Sequence, residues 1–88
     1  MPSYLVEAYL ADTPSALTDA RARAHLAAQS EGEVRYVRTT FLPSDEVVLH
    51  MFEAPSDDAV RRAAGRVDLR CERIVEAFEP PSTAQGSR

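Results

Sequence analysis

Two glutamates occupy the same place in two look-alike segments. Glu7 lies in Tyr4-Leu5-Val6-Glu7-Ala8-Tyr9 near the start, and Glu76 in Arg73-Ile74-Val75-Glu76-Ala77-Phe78 near the end. A third group able to do chemistry, His50, falls in the most hydrophobic stretch of the chain. Two carboxyls and an imidazole among apolar neighbours can act as general acid and base, because burial and like-charge crowding raise a carboxyl pKa toward neutrality. The same trio, one nitrogen with two carboxylate oxygens, suits zinc, nickel or non-haem iron when the groups come within coordination range. A purely structural role stands beside both: at a symmetric interface each glutamate would be held by Arg38, Arg73 or Tyr36 as an interfacial pair. No motif in the chain identifies a reaction.

Whether the three groups meet depends on the strands that carry them. Ser3 to Leu10 alternates and is rich in aromatic and aliphatic residues, the pattern of a strand. Asp12-Thr13-Pro14 predicts a helix start, with Thr13 as N-cap and Pro14 in the first turn, and the helix runs to about Gln29, stopping before Gly32. Its stripe Ala16, Leu17, Ala20, Ala24 and Ala27 is mostly small, which predicts close packing on a sheet. Glu33 to Leu42 reads as a second strand ending in the turn Pro43-Ser44-Asp45, and Glu46 to Glu53 as a central third strand. Ser56 caps a second helix whose Asp57 and Asp58 face the positive end of its dipole, and Gly65 helps end it. Arg70 to Phe78 is the fourth strand.

The order is βαββαβ. Two right-handed split βαβ units interleave into a four-stranded antiparallel sheet ordered 4-1-3-2 with both helices on one face, the ferredoxin-like α+β fold. Residues 1–79 form this one domain. Residues 80–88 are too poor in apolar side chains to pack and are expected to be a disordered tail.

Strand parity then places the side chains. Tyr4, Val6, Ala8 and Leu10 are apolar and are expected to face the helices, leaving Leu5, Glu7 and Tyr9 on the open face. Leu49 and Met51 suit the helix side, which sends Val48, His50 and Phe52 to the face of Glu7. The repeat with the first strand matches Ile74 and Glu76 to Leu5 and Glu7. Glu7, His50 and Glu76 are thus expected to converge, with Tyr9, Tyr36, Arg38, Phe52 and Arg73 around them as ligand-binding residues.

Ten arginines against fourteen acids give a net charge of −4, which argues against a nucleic-acid groove, since phosphate binding draws on a concentrated positive field. Lysine is absent, a usage typical of a GC-rich bacterial genome. The single cysteine, Cys71, cannot form an internal disulfide, and its neighbours Arg70 and Arg73 could lower a thiol pKa, although a small buried hydrophobe is the commoner role. No basic-plus-apolar leader precedes the first strand and no apolar run is of membrane-spanning length, so a soluble cytoplasmic protein without membrane partners is expected. His25 reads as solvated helix surface, and Arg61, Arg62 and Arg66 as dipole complementation rather than a phosphate strip.

Three segments carry a family resemblance: Met1-Pro2-Ser3-Tyr4-Leu5-Val6-Glu7-Ala8-Tyr9, His50-Met51-Phe52-Glu53-Ala54-Pro55-Ser56 leading into Ala59-Val60-Arg61-Arg62-Ala63-Ala64, and Glu72-Arg73-Ile74-Val75-Glu76-Ala77. The chain resembles a family of small bacterial ferredoxin-like domains of unknown function whose described members include nickel-binding proteins. The resemblance spans nearly everything but the tail. It implies the ferredoxin-like fold and dimers that pair their sheets, with a divalent metal such as nickel as possible cofactor. Metal-binding relatives carry histidines in the first strand, where this chain has Val6, Glu7, Ala8 and Tyr9.

An open sheet face bearing Leu5, Val48 and Phe52 calls for an interface or a ligand. The expectation is a homodimer holding a small molecule at the sheet face between protomers, either binding it only or also using the trio for acid–base catalysis, in a cavity like those of dimeric α/β-barrel proteins, a likeness at the level of fold only. The alternatives are a divalent-metal protein of the nickel type, with His50, Glu7 and Glu76 as ligands, and a non-catalytic dimerisation or accessory module.

Overall fold

A computed structural model describes residues 1–78; the expected disordered tail, 80–88, lies outside the described residues. Its elements are β1 (Ser3–Tyr9), α1 (Pro14–Ser30), β2 (Arg35–Leu42), β3 (Val47–Glu53), α2 (Asp57–Arg66) and β4 (Arg73–Ala77). The sheet order is β2-β3-β1-β4 with every neighbouring pair antiparallel. This is the ferredoxin-like arrangement expected from the sequence, the order 4-1-3-2 read from the other edge. No helix among the described residues is long and apolar enough to cross a membrane.

Local chemistry sets the boundaries. The Thr13 hydroxyl accepts from the Ala16 N–H at 3.2 Å and Pro14 opens α1, so two of the groups a helix start leaves unmatched are dealt with. Ser56 does the same for α2 through the Ala59 N–H, and Asp57, Asp58 and Arg66 complement its dipole at the two ends. Gly65 does not end α2. The helix runs through it to Arg66, and the N–H of the capping residue Val67 bonds to the Ala64 carbonyl. The β2–β3 hairpin closes through Asp45 N–H to Leu42 O and Glu46 N–H to Pro43 O, with Glu46 in the left-handed region at φ 53°.

The core lies between sheet and helices. Tyr4, Val6 and Phe52 from the sheet meet Ala24, Ala27, Ala59, Val60, Ala63 and Ala64 from the helices. Burying Phe52 alone contributes about 1.5–3 kcal/mol. Ala24 and Ala27, in the second half of α1, are fully buried, whereas Ala16 and Ala20, in its first half, are only partly covered. The far end of α1 is tied to α2 by its C-cap: Arg62 Nε stands 2.9 Å from Glu31 Oε2, and Arg66 Nη2 stands 3.8 Å from Oε1.

Candidate functional site

Antiparallel partners share a face, so the register assigns every strand side chain. On the helix side run the rows Tyr36–Phe52–Tyr4–Glu76, Thr39–His50–Val6–Ile74 and Phe41–Val48–Ala8. On the open side run Arg35–Glu53–Ser3–Ala77, Arg38–Met51–Leu5–Val75, Thr40–Leu49–Glu7–Arg73 and Leu42–Val47–Tyr9. The β2 register skips Val37, a bulge that puts Tyr36 and Thr39, three apart, on one face.

The expected convergence therefore fails. Glu7 faces the open side as expected, but His50 pairs with Val6 and lies beneath the helices, only 1% exposed. Val48 and Phe52 go with it, while Leu49 and Met51 take the open face, the reverse of the sequence expectation. Glu76 pairs with Tyr4, so it too leaves the face of Glu7; the partner of Glu7 on β4 is Arg73. Of the expected ligand-binding residues, Tyr9, Arg38 and Arg73 stand on the open face and Tyr36 and Phe52 on the helix face. The two aromatics meet edge to face at 5.9 Å.

Glu7 is half-buried and its Oε1 accepts from Arg73 Nε at 2.8 Å. The pair joins β1 to β4 within one chain, whereas the structural reading expected Arg73 to hold a glutamate across a dimer interface. Leu5, Leu49, Met51 and Val75 form an apolar band beside it.

His50 has a different setting. Its Nδ1 is 2.8 Å from Thr39 Oγ1, which is 2.7 Å from the Tyr36 hydroxyl, a chain of three polar side chains leading from the buried ring to two partly buried residues of β2. Burial pushes the imidazole pKa down to about 4, so the ring is neutral near pH 7. His25, exposed on α1, lays its ring 4.1 Å from that of Tyr36. His50 also lines a chamber of about 240 Å³ between the first half of α1, the ends of β1 and β3, and the α2–β4 loop. Ala8, Ala16, Ala20, Val48 and Leu69 give it apolar walls; Asp19, Arg23, Asp68 and Arg70, all exposed, give it a charged rim.

Sequence reasoning missed this chamber. Its one signal was the small stripe of α1, which was read as close packing: at Ala24 and Ala27 the helix does pack closely, but at Ala16 and Ala20 the missing side-chain volume stays open.

The other candidates settle as structure. Cys71 is half-buried against the core, just before β4, and burial pushes its thiol pKa up, away from a reactive thiolate. Arg62 and Arg66 are engaged by Glu31.

A family model described as "Nickel responsive protein SCO4226-like" matches residues 4–77. Among solved structures, the chain is similar to the crystal structure of SCO4226 from Streptomyces coelicolor A3(2), with a TM-score of 0.74 and 18% identity over 90% of this chain and 99% of that one. At that identity the likeness speaks for the fold alone. No curated protein sequence matches the chain. The family description raises the question of a nickel site, and the donors among the described residues do not fit one. Among the described residues no three of His, Cys, Asp and Glu stand together as a ligand set. His50 spends Nδ1 on Thr39 and lies on the opposite side of the sheet from Glu7.

Proposed function

From the premise that the chain belongs to the SCO4226-like family of nickel responsive proteins, we propose that it is a homodimeric small-molecule-binding domain whose ligand enters the chamber under α1. The observation that carries this reading is the chamber itself, apolar in its walls, with one buried neutral imidazole beside it. Concave apolar sites with a few placed polar groups are where small ligands bind, and 240 Å³ falls below the range of roughly 300–1,000 Å³ that serves drug-sized molecules. Acid–base turnover is not part of the reading. A general base works best with a pKa near the operating pH, and that of His50 is held well below it. Response to nickel does not require this chain to coordinate the metal.

The homodimer is read onto the open face, where Leu5, Leu49, Met51 and Val75 form a contiguous band across three strands. A charge placed in that band, Leu49→Arg, should convert a species of twice the chain mass into one of the chain mass in sedimentation. Sedimentation of the unaltered protein at the chain mass would rule the dimer out. Ligand binding is tested by thermal shift against a panel of small metabolites, with Ala20→Leu as the filled-chamber control. Stabilisation that the control abolishes is the expected result; a response that survives in Ala20→Leu, or none at all, would end the reading.

A further inference from the structure

The rim of the chamber carries two acids and two arginines that do not neutralise one another. Elsewhere in the chain opposite charges close: Arg35 on Glu53, Arg62 on Glu31, Arg73 on Glu7. Asp19 and Arg23 stand four apart on α1, the spacing at which an aspartate and an arginine pair readily. Instead Arg23 Nη1 reaches across the gap and donates to the Val67 carbonyl at 2.6 Å. Among the described residues, Asp19, Asp68 and Arg70 make no ion pair. A guanidinium has five N–H donors, so Arg23, already fixed by one, has others left for an anion at the rim.

We propose that the chamber takes a free α-amino acid, a small zwitterion whose ammonium meets Asp19 and Asp68, whose carboxylate meets Arg23 and Arg70, and whose side chain enters the apolar part. The inference rests on the small-molecule reading above and narrows it to one chemical class. A simple anion would be drawn by the arginines but repelled by both aspartates, and a simple cation the reverse. An uncharged molecule would leave four solvated charges without a role. A ligand bearing an ammonium and a carboxylate on the same carbon uses the whole rim, through charge-assisted hydrogen bonds of the strong kind. Inside, His50 sets a second requirement. Its Nδ1 is bonded to Thr39, which leaves Nε2 as the one side-chain hydrogen-bonding atom His50 has left to offer the chamber. A neutral imidazole there accepts an apolar side chain, or one ending in an uncharged hydroxyl or amide, and disfavours a charged one.

The test is titration calorimetry of the full chain with the twenty proteinogenic amino acids, each hit repeated with the amine that lacks its carboxylate and the acid that lacks its ammonium. The expected result is a zwitterion that binds at least tenfold more tightly than either analogue. Asp68→Asn, which keeps a side chain that tolerates the left-handed backbone at that position (φ 56°), and Arg70→Gln, at an exposed position, should each weaken it by tenfold or more, and Ala20→Leu should abolish it. If an uncharged molecule of the same size binds as well as the zwitterion and Ala20→Leu blocks both, the chamber is a ligand site but the amino-acid assignment is wrong. If binding persists in Ala20→Leu, or no compound of either kind binds, both the assignment and the reading beneath it fall.

Discussion

Protonation of His50 offers the sharpest test of the helix-side assignment. The ring titrates near 6.5 in the unfolded chain and at about 4 in the folded one, because burial disfavours the imidazolium. A native pKa below the unfolded one means that the unfolded chain takes up the proton first as the pH falls. Stability from this residue is therefore complete above about pH 7, declines between pH 6.5 and 4, and is flat below. At 1.36 kcal/mol for each tenfold change in proton affinity, the full loss is about 3 kcal/mol, and about 2 kcal/mol is gone by pH 5. Carboxylates elsewhere also titrate in this range, so the signal is a difference. Urea unfolding of the unaltered chain and of His50→Gln, which keeps a polar group facing Thr39 but does not titrate, should give free energies whose gap shifts by about 2 kcal/mol between pH 7 and pH 5. Parallel curves, with the gap constant to within about 0.5 kcal/mol, would refute the reasoning and put the ring in contact with bulk water.

Three further outcomes are expected. Thr39→Val strands His50 Nδ1 and one end of the Tyr36 hydroxyl bond, and should cost about 1–2 kcal/mol in urea unfolding; an unchanged midpoint would mean that the bond between Thr39 and His50 is not made in solution. Glu7→Ala and Arg73→Ala, singly and together, should show a coupling of less than about 1 kcal/mol in chemical denaturation, since the pair is largely open to solvent on its arginine side. A coupling several times larger would return Glu7 to the list of candidate site residues. One equivalent of nickel added to metal-free protein should leave the melting temperature unchanged, and a rise of several degrees would show that the donors do assemble, within the chain or across a dimer.

The sequence carried the fold because each element announced itself locally. Thr13-Pro14 and Ser56 with its two aspartates start the helices where the structure has them, and the parity of β1 was legible because polar and apolar residues alternate along it. The candidate site was not legible, for two physical reasons. From Val47 to Phe52, β3 is apolar on both faces, so alternation gives it no phase. Assigning Leu49 and Met51 to the helix side sends His50 to the open face with Val48 and Phe52, but a hydrogen bond to Thr39 lets it lie in the core, and that bond needs the bulge at Val37, which no local pattern marks. The likeness of β4 to β1 misled in another way. The strands run antiparallel and Glu7 falls opposite Arg73, so matching letters read in opposite directions end on opposite faces.

The clasp at Glu31 makes α1 a cantilever. Its root is gripped by two arginines of α2 and its inner half is sunk in the core, while its outer half overhangs the chamber, steadied by the reach of Arg23 to Val67. A beam held at one end changes the space under its tip by a slight swing, without breaking a single rung of the sheet. Molecules of somewhat different bulk can thus be accommodated at small elastic cost, and amide protons in the first turns of α1 should exchange with solvent sooner than those near Ala24 and Ala27.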